Sequence, residues 1–552
     1  MYFTEKNRLC MRSICGVPLK FSTTSATGFR KNQLDSNGSG SRWIARMGAC
    51  LIALTSFGTV TPVLADVQLP NIFSDHMVLQ RGQENRVWGR GEVGEKVTAT
   101  IGGQSVSTQV GAKGAWMLML PKMEAGGPHQ LSIKGNNEIV LKDILVGEVW
   151  VCSGQSNMRW SVKQSNDADI ESLTANYPKI RMINFPNVGT QEPIWSHDVQ
   201  WKVCSPETVG DFSAVGYFFG RQLYETIDVP IGLINNSWGG SAAEAWVDGK
   251  DLEADPDFKK LMAEWGAAVE KSEAQLAVEI ASNGDKKDAS AKKKIADIEK
   301  QLSGNQRPRN IYNGVLKSHL GYGIKGAIWY QGESNAGRAY KYRKLFPLMI
   351  QKWRQEWGQG DFPFYFVQLA DYLAESDQPM DSNWAELREA QTMTMDSVPR
   401  TGQAVIVDIG EGKDIHPKNK VDVAKRLARW ALANEYGVKV PFRSPQYESM
   451  QVVGNKIALK FAHLSDGWRP FDVEEPQGFQ IAGEDKKFVW ATAVIQPDNG
   501  IHVSAAEVSN PVAVRYAWSN NPRCNMYANS GLPLTPFRTD DWPGVTVSAD
   551  GK

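Results

Sequence analysis

Ile144-Leu145-Val146-Gly147-Glu148-Val149-Trp150-Val151-Cys152-Ser153-Gly154-Gln155-Ser156-Asn157-Met158 is the stretch from which the fold is read. It begins as an apolar run, the pattern of a strand buried on both faces. It then breaks into small polar residues around Gly154. Such a break puts a side chain at the open end of a sheet, and in open α/β sheets ligands bind in the crevice beyond the strand ends. Ser156 is therefore a candidate nucleophile, although a serine after a strand is by itself more often a turn residue.

Outward from this stretch, apolar strands are predicted at 144–151, 230–236, 324–330, 362–369 and 403–408, with helices near 213–225, 338–356 and 419–435. Strands alternating with helices imply an α/β fold, a parallel sheet covered on both faces. Residues 250–308 interrupt the alternation. There Phe258, Leu261, Met262, Trp265 and Val269 recur at helical spacing, and Lys286-Lys287 and Lys292-Lys293-Lys294 read as a solvated run, so this segment is expected to be a helical surface insertion. Residues 66–143 carry β-prone runs such as Val97–Ile101 punctuated by Gly-Gly pairs, and read as a small β-sandwich. The catalytic α/β region then spans 144–440, and 441–552 is a second β region.

The length of 552 residues suits several domains, and 42% hydrophobic with 22% charged residues is ordinary for a globular chain. Residues 1–65 differ. Arg42 and Arg46 precede the apolar run Ala49–Leu54, and Val63-Leu64-Ala65 resembles a small-residue cleavage site, a secretory signal pattern with a long n-region. An extracytoplasmic location after cleavage near Ala65 is the expectation. A membrane anchor is the weaker reading, because the apolar stretch is short and broken by Thr55, Ser56, Thr59, Thr61 and Pro62. Residues 1–65 hold 8 basic and 2 acidic residues, so the remainder carries a net charge of −6, with 53 basic against 59 acidic. Nothing in that balance suggests nucleic-acid binding. Beyond residue 65 the cysteines are Cys152, Cys204 and Cys524, widely spaced and odd in number, which is no disulfide framework. No Cys/His cluster has zinc-ligand spacing. Cys152 reads as a buried small hydrophobe rather than a nucleophile.

Three more loops follow predicted strands. Asn236-Ser237-Trp238-Gly239-Gly240-Ser241 offers two adjacent glycines whose N–H groups can approach an anion. Gln331-Gly332-Glu333-Ser334-Asn335 offers the amides of Gln331 and Asn335, donors of the kind that stabilise an oxyanion. Glu333 there can be an acid, a base or a buried acceptor, and the structural role is preferred. Lys413-Asp414-Ile415-His416-Pro417 puts a histidine beside a carboxylate at a strand-to-helix junction. A neutral imidazole oriented by a carboxylate is what a serine nucleophile requires as its base. The combination suggests acyl transfer.

Together Ser153-Gly154-Gln155-Ser156-Asn157-Met158, Trp238-Gly239-Gly240-Ser241 with Glu244-Ala245-Trp246, Trp329-Tyr330-Gln331-Gly332-Glu333-Ser334-Asn335 and Asp414-Ile415-His416-Pro417 resemble the sialate O-acetylesterases of the SGNH (GDSL-like) hydrolase superfamily. The resemblance covers about residues 66–540. It implies a flavodoxin-like three-layer sheet and metal-free, cofactor-free hydrolysis of acetyl esters on sugars, with an O-acetylated sugar or glycan as the partner and no stable membrane partner. It implies Ser156 as nucleophile and His416 as base, with Gly240, Gly239 and the Gln331–Asn335 loop as oxyanion candidates. Two departures stand out. The superfamily's Asp three residues before the His is here Lys413, so Asp414 is the expected third member with Asp408 in reserve. The position after Ser-Asn-Met, commonly acidic in relatives, is here Arg159. Acetylxylan or another glycan is the alternative substrate, and a non-catalytic glycan-binding protein the alternative class.

Overall fold

The computed structural model describes residues 66–283, 289–464 and 466–547. The expected export segment, and Lys286-Lys287 within the basic run, lie outside the described residues. The protein is a mixed α/β structure organised on strand Glu138–Gly154, which is 17 residues long. Its N-terminal half pairs antiparallel with Gly126–Lys134 in the first β region, which also holds Lys96–Ile101 and Gln104–Gln109. Its C-terminal half enters the central sheet. The order there is Thr401–Ala404, Phe364–Val367, Gly326–Tyr330, Glu138–Gly154, Ile231–Asn235, Tyr177–Asn184 and Lys202–Cys204. All neighbours are parallel except the last pair.

Side chains alternate across these strands, and each face has its own helices. Val149, Val151, Trp329, Phe364 and Phe366 share a core with Tyr342, Phe346 and Trp353 of helix Ala339–Trp357 and Leu387 of helix Asn383–Ser397. Trp150, Cys152, Leu233, Ile328, Tyr330 and Val367 share the opposite core with helices Ala214–Ile227 and Lys420–Glu435. Burial on both sides is why the strands read as continuous apolar runs. Many of the tryptophans serve these cores: Trp150, Trp201, Trp246, Trp329, Trp353 and Trp357 are wholly buried.

The central layers differ from the sequence reading in several places. Strands Tyr177–Asn184 and Lys202–Cys204 and helix Asn383–Ser397 lie outside the predicted elements, and the strand expected at 403–408 is instead Thr401–Ala404. Val405 and Val407 are buried all the same, because they leave the sheet and pack into the C-terminal core with Ile457, Phe479, Ile481 and Val514. An apolar run signals burial, and here it does not distinguish sheet from loop. That core lies between two four-stranded sheets formed by residues from Gln446 onward. The interruption is helical, with helices Lys259–Asn283 and Ala289–Leu302.

Candidate active site

Strand Glu138–Gly154 ends against its neighbour so closely that a β-carbon on Gly154 would lie 2.2 Å from the Tyr330 carbonyl oxygen, and Gly154 takes φ +126°. Gln155 N–H donates to that same carbonyl at 2.9 Å. The chain then turns at once into the short helix Ser156–Arg159. Ser156, its first residue, has an N–H with no intrahelical acceptor. Gly239 lies beside it, where an added β-carbon would stand 3.4 Å from Ser156 Cβ.

His416 arrives from the far side. Its Nε2 is 2.8 Å from Ser156 Oγ, and its ring stacks on Trp160 with centroids 4.7 Å apart and 11° between planes. Asp414 Oδ1 accepts from the His416 backbone N–H at 2.9 Å and lies 3.5 Å from Nδ1. The carboxylate is thus the imidazole's neighbour at a long contact. Burial holds the His416 pKa below the ordinary histidine value, Asp414 pulls it upward, and the Lys420 ammonium pushes it down. The neutral ring, able to accept a proton, is the form favoured. Asp408 is spent elsewhere: both its oxygens bind Arg426, at 2.6 Å each, and one also accepts from Tyr527. It is a structural ion pair and no reserve for the triad.

The Gln331–Asn335 loop requires a correction. Gln331 Nε2 donates to the Ser241 carbonyl at 3.1 Å and to Asn335 Oδ1 at 2.7 Å, which uses both its hydrogens, and the residue is fully buried. Asn335 Oδ1 also accepts from Ala243 N–H, and its amide donates to Glu244, itself paired with Arg338. These amides brace the second loop to the third, and neither borders the cleft around Ser156. Gly239 and Gly240 are tied down from outside. Their carbonyls accept from Asn305 and Gln306, at the end of the helical insertion.

The family model for "carbohydrate esterase, sialic acid-specific acetylesterase" matches residues 146–296 and 294–432. The chain is 30% identical to a sialate O-acetylesterase of Homo sapiens over 524 residues, 85% of this chain and 92% of the human one.

The chain belongs to this family of carbohydrate esterases.

A sialate O-acetylesterase of Mus musculus is 29% identical over 87% of this chain and 97% of its own. The solved structure of a carbohydrate acetylesterase from Xanthomonas citri superposes with a TM-score of 0.74 at 36% identity, covering 86% of this chain and 100% of that one. This esterase thus acts on acetyl esters of sugars.

Around Ser156 the esterase opens a cleft of about 490 Å³, lined by Arg159, Trp160, Ser161, Lys163, Gln164, Asn184, Phe185, Asp211, Asn235 and Ser237. Lys163 is paired with Asp211, whereas Arg159 is exposed in the cleft with no carboxylate partner among the described residues. Behind Ser156, Asn157 Nδ2 donates to Glu333 Oε1 at 2.6 Å and to the Ile415 carbonyl at 3.0 Å, and Asn157 Oδ1 accepts from Lys420 Nζ at 2.6 Å. Glu333 is an acceptor in the interior, the structural role preferred for it. Burial raises its pKa and drives that of Lys420 down to about 7. Sequence reasoning missed Lys420 and the role of Asn157. The one signal was a lysine on the first turn of a helix whose neighbours are apolar.

Cys152 is wholly buried, with its thiol pushed up by burial, and is no candidate nucleophile. Among the described residues no group of three or more His, Cys, Asp or Glu could hold a metal ion, and no helix is long and apolar enough to cross a membrane.

Proposed function

We propose that this esterase removes O-acetyl groups from sialic acids through an acetyl-enzyme on Ser156. The observation that carries the reading is the 2.8 Å contact between Ser156 Oγ and His416 Nε2 at the floor of an open polar cleft. Ser156 Oγ attacks the acetyl carbonyl carbon while His416 Nε2 takes its proton. The oxyanion is met by the N–H groups of Ser156 and Gly239. His416 then protonates the departing sugar oxygen, and water, deprotonated by the same imidazole, releases acetate. Asp414 orients the ring.

Arg159 favours an acidic sugar over acetylxylan, since a guanidinium in the cleft with no carboxylate partner among the described residues matches a substrate carboxylate. We further read the α/β region as an SGNH flavodoxin-like domain at 144–440, flanked by a β-sandwich at 66–143 and a β region at 441–552. It would be exported by the segment 1–65.

One assay series tests this. The mature protein should release acetate from an O-acetylated sialic acid and from an aryl acetate, and Ser156→Ala should lose about three orders of magnitude or more in kcat. The methyl ester of the same sialic acid should be the poorer substrate. Full activity in Ser156→Ala refutes the nucleophile. Faster acetate release from acetylxylan than from the sialic acid refutes the sugar.

A further inference from the structure

Ser156 and His416 are 260 positions apart in the chain, yet they meet at 2.8 Å. A second cross-link runs parallel to the first, one residue along on each side: Asn157 Nδ2 to the Ile415 carbonyl, at 3.0 Å. The residue after the nucleophile therefore holds the residue before the base. Asn157 is 1% exposed, so it offers a docked sugar almost no surface.

The orientation of its amide is chemically forced. An ammonium only donates and a carbonyl only accepts. Ile415 O therefore requires Nδ2, which leaves Oδ1 to accept from Lys420 Nζ, charged or neutral. The reverse amide would set its oxygen against Ile415 O, a repulsive contact in a buried place, and lose the bond from Nδ2 to Glu333 Oε1. Lys420 is wholly buried, with Nζ 5.2 Å from the Tyr330 ring centroid. Glu333 Oε2 is buried without a hydrogen-bond partner among the described residues. Two ionisable groups carried into the interior cost stability unless something else requires them. What they do here is hold one amide in one orientation.

We infer that Asn157 is a positioning residue that sets the Ser156–His416 contact, with Lys420 and Glu333 fixing its amide. The inference rests on the roles of Ser156 and His416 proposed above. Asn157→Asp is the informative substitution. It keeps shape and the acceptor for Lys420, but an aspartate donates to neither Ile415 nor Glu333. The purified protein is assayed with an O-acetylated sialic acid, and separately by the rate at which a fluorophosphonate labels Ser156.

In Asn157→Asp, kcat and the labelling rate should both fall about 30- to 100-fold, the scale of a small misplacement of reacting groups, with KM within about threefold. Lys420→Met, which frees the amide to turn, should lower the same two quantities by about tenfold. It supplies the reading if Asn157→Asp does not fold, as judged by far-UV circular dichroism. A folded variant with wild-type kcat and labelling rate overturns the inference, and so does a loss confined to KM. If the wild type itself is not labelled at Ser156, the proposed mechanism falls and this inference with it. Labelling that the substitutions leave unaltered overturns the positioning role alone.

Discussion

Asp414 meets the imidazole of His416 at 3.5 Å, and 40% of its side chain is exposed. Both facts bear on what the carboxylate contributes. A buried, short carboxylate–imidazole bond in other triads is worth about four orders of magnitude in kcat, and a longer, wetter one is worth less. Asp414→Asn should therefore cost about 10- to 100-fold in kcat. The pH profile gives an independent check. His416 must be neutral to accept the serine proton, so kcat/KM falls as pH drops through its pKa, which burial sets below the ordinary value. Asp414 favours the charged ring, and removing its charge lowers that pKa further. The acid limb of Asp414→Asn should move to lower pH than in the wild type. A limb that stays put, or moves up, means that Asp414 is not the carboxylate that faces the ring.

At the scale of elements, the site is a set of strand ends. The turn that carries Ser156 exists because Glu138–Gly154 runs flush against Gly326–Tyr330 and then has to leave it within two residues. Gly154 makes that possible, and Gly154→Ala is the test. It imposes φ +126° on a residue with a side chain and puts its Cβ 2.2 Å from the Tyr330 carbonyl oxygen. Backbone strain and overpacking together should cost about 2–4 kcal/mol. Urea denaturation followed by tryptophan fluorescence measures this, and a change below about 1 kcal/mol would show that the turn tolerates the shift. The second loop depends on a different device. Its two glycines are held through their carbonyls by Asn305 and Gln306, so the helical insertion that interrupts the α/β alternation also secures the wall beside Ser156.

For the whole molecule, the last strand of the sheet is joined to the C-terminal β region by burial and by charge. Val405 and Val407 enter that region's core, and Asp408 then binds Arg426 of the helix after the His416 loop and Tyr527 of the β region. The carboxylate is 4% exposed. Removing one partner of a buried pair leaves the other charge uncompensated, so Asp408→Ala should destabilise the protein by about 3–5 kcal/mol. Its kcat below the unfolding transition should stay within about threefold of wild type. A loss of a thousandfold without loss of stability would return Asp408 to the catalytic group.

Ser156 and His416 as candidates, and the strand that leads into Ser156, were legible in the sequence because each depends on local pattern. Ser156 follows an apolar run that must be a buried strand, and His416 sits two residues after Asp414, just ahead of an amphipathic helix. Hydrophobic periodicity and turn chemistry are properties of neighbours in the chain. The tertiary structure decided what depends on partners far along it. Gln331 looked like a donor to an oxyanion until Ser241 and Asn335 took both its hydrogens. Asp408 looked like a reserve acid until Arg426 took both its oxygens. Asn157 and Lys420, separated by 263 positions, gained a role only by meeting. A side chain's composition states which bonds it can make. Which of those bonds are left for substrate depends on which groups the fold has already placed against it.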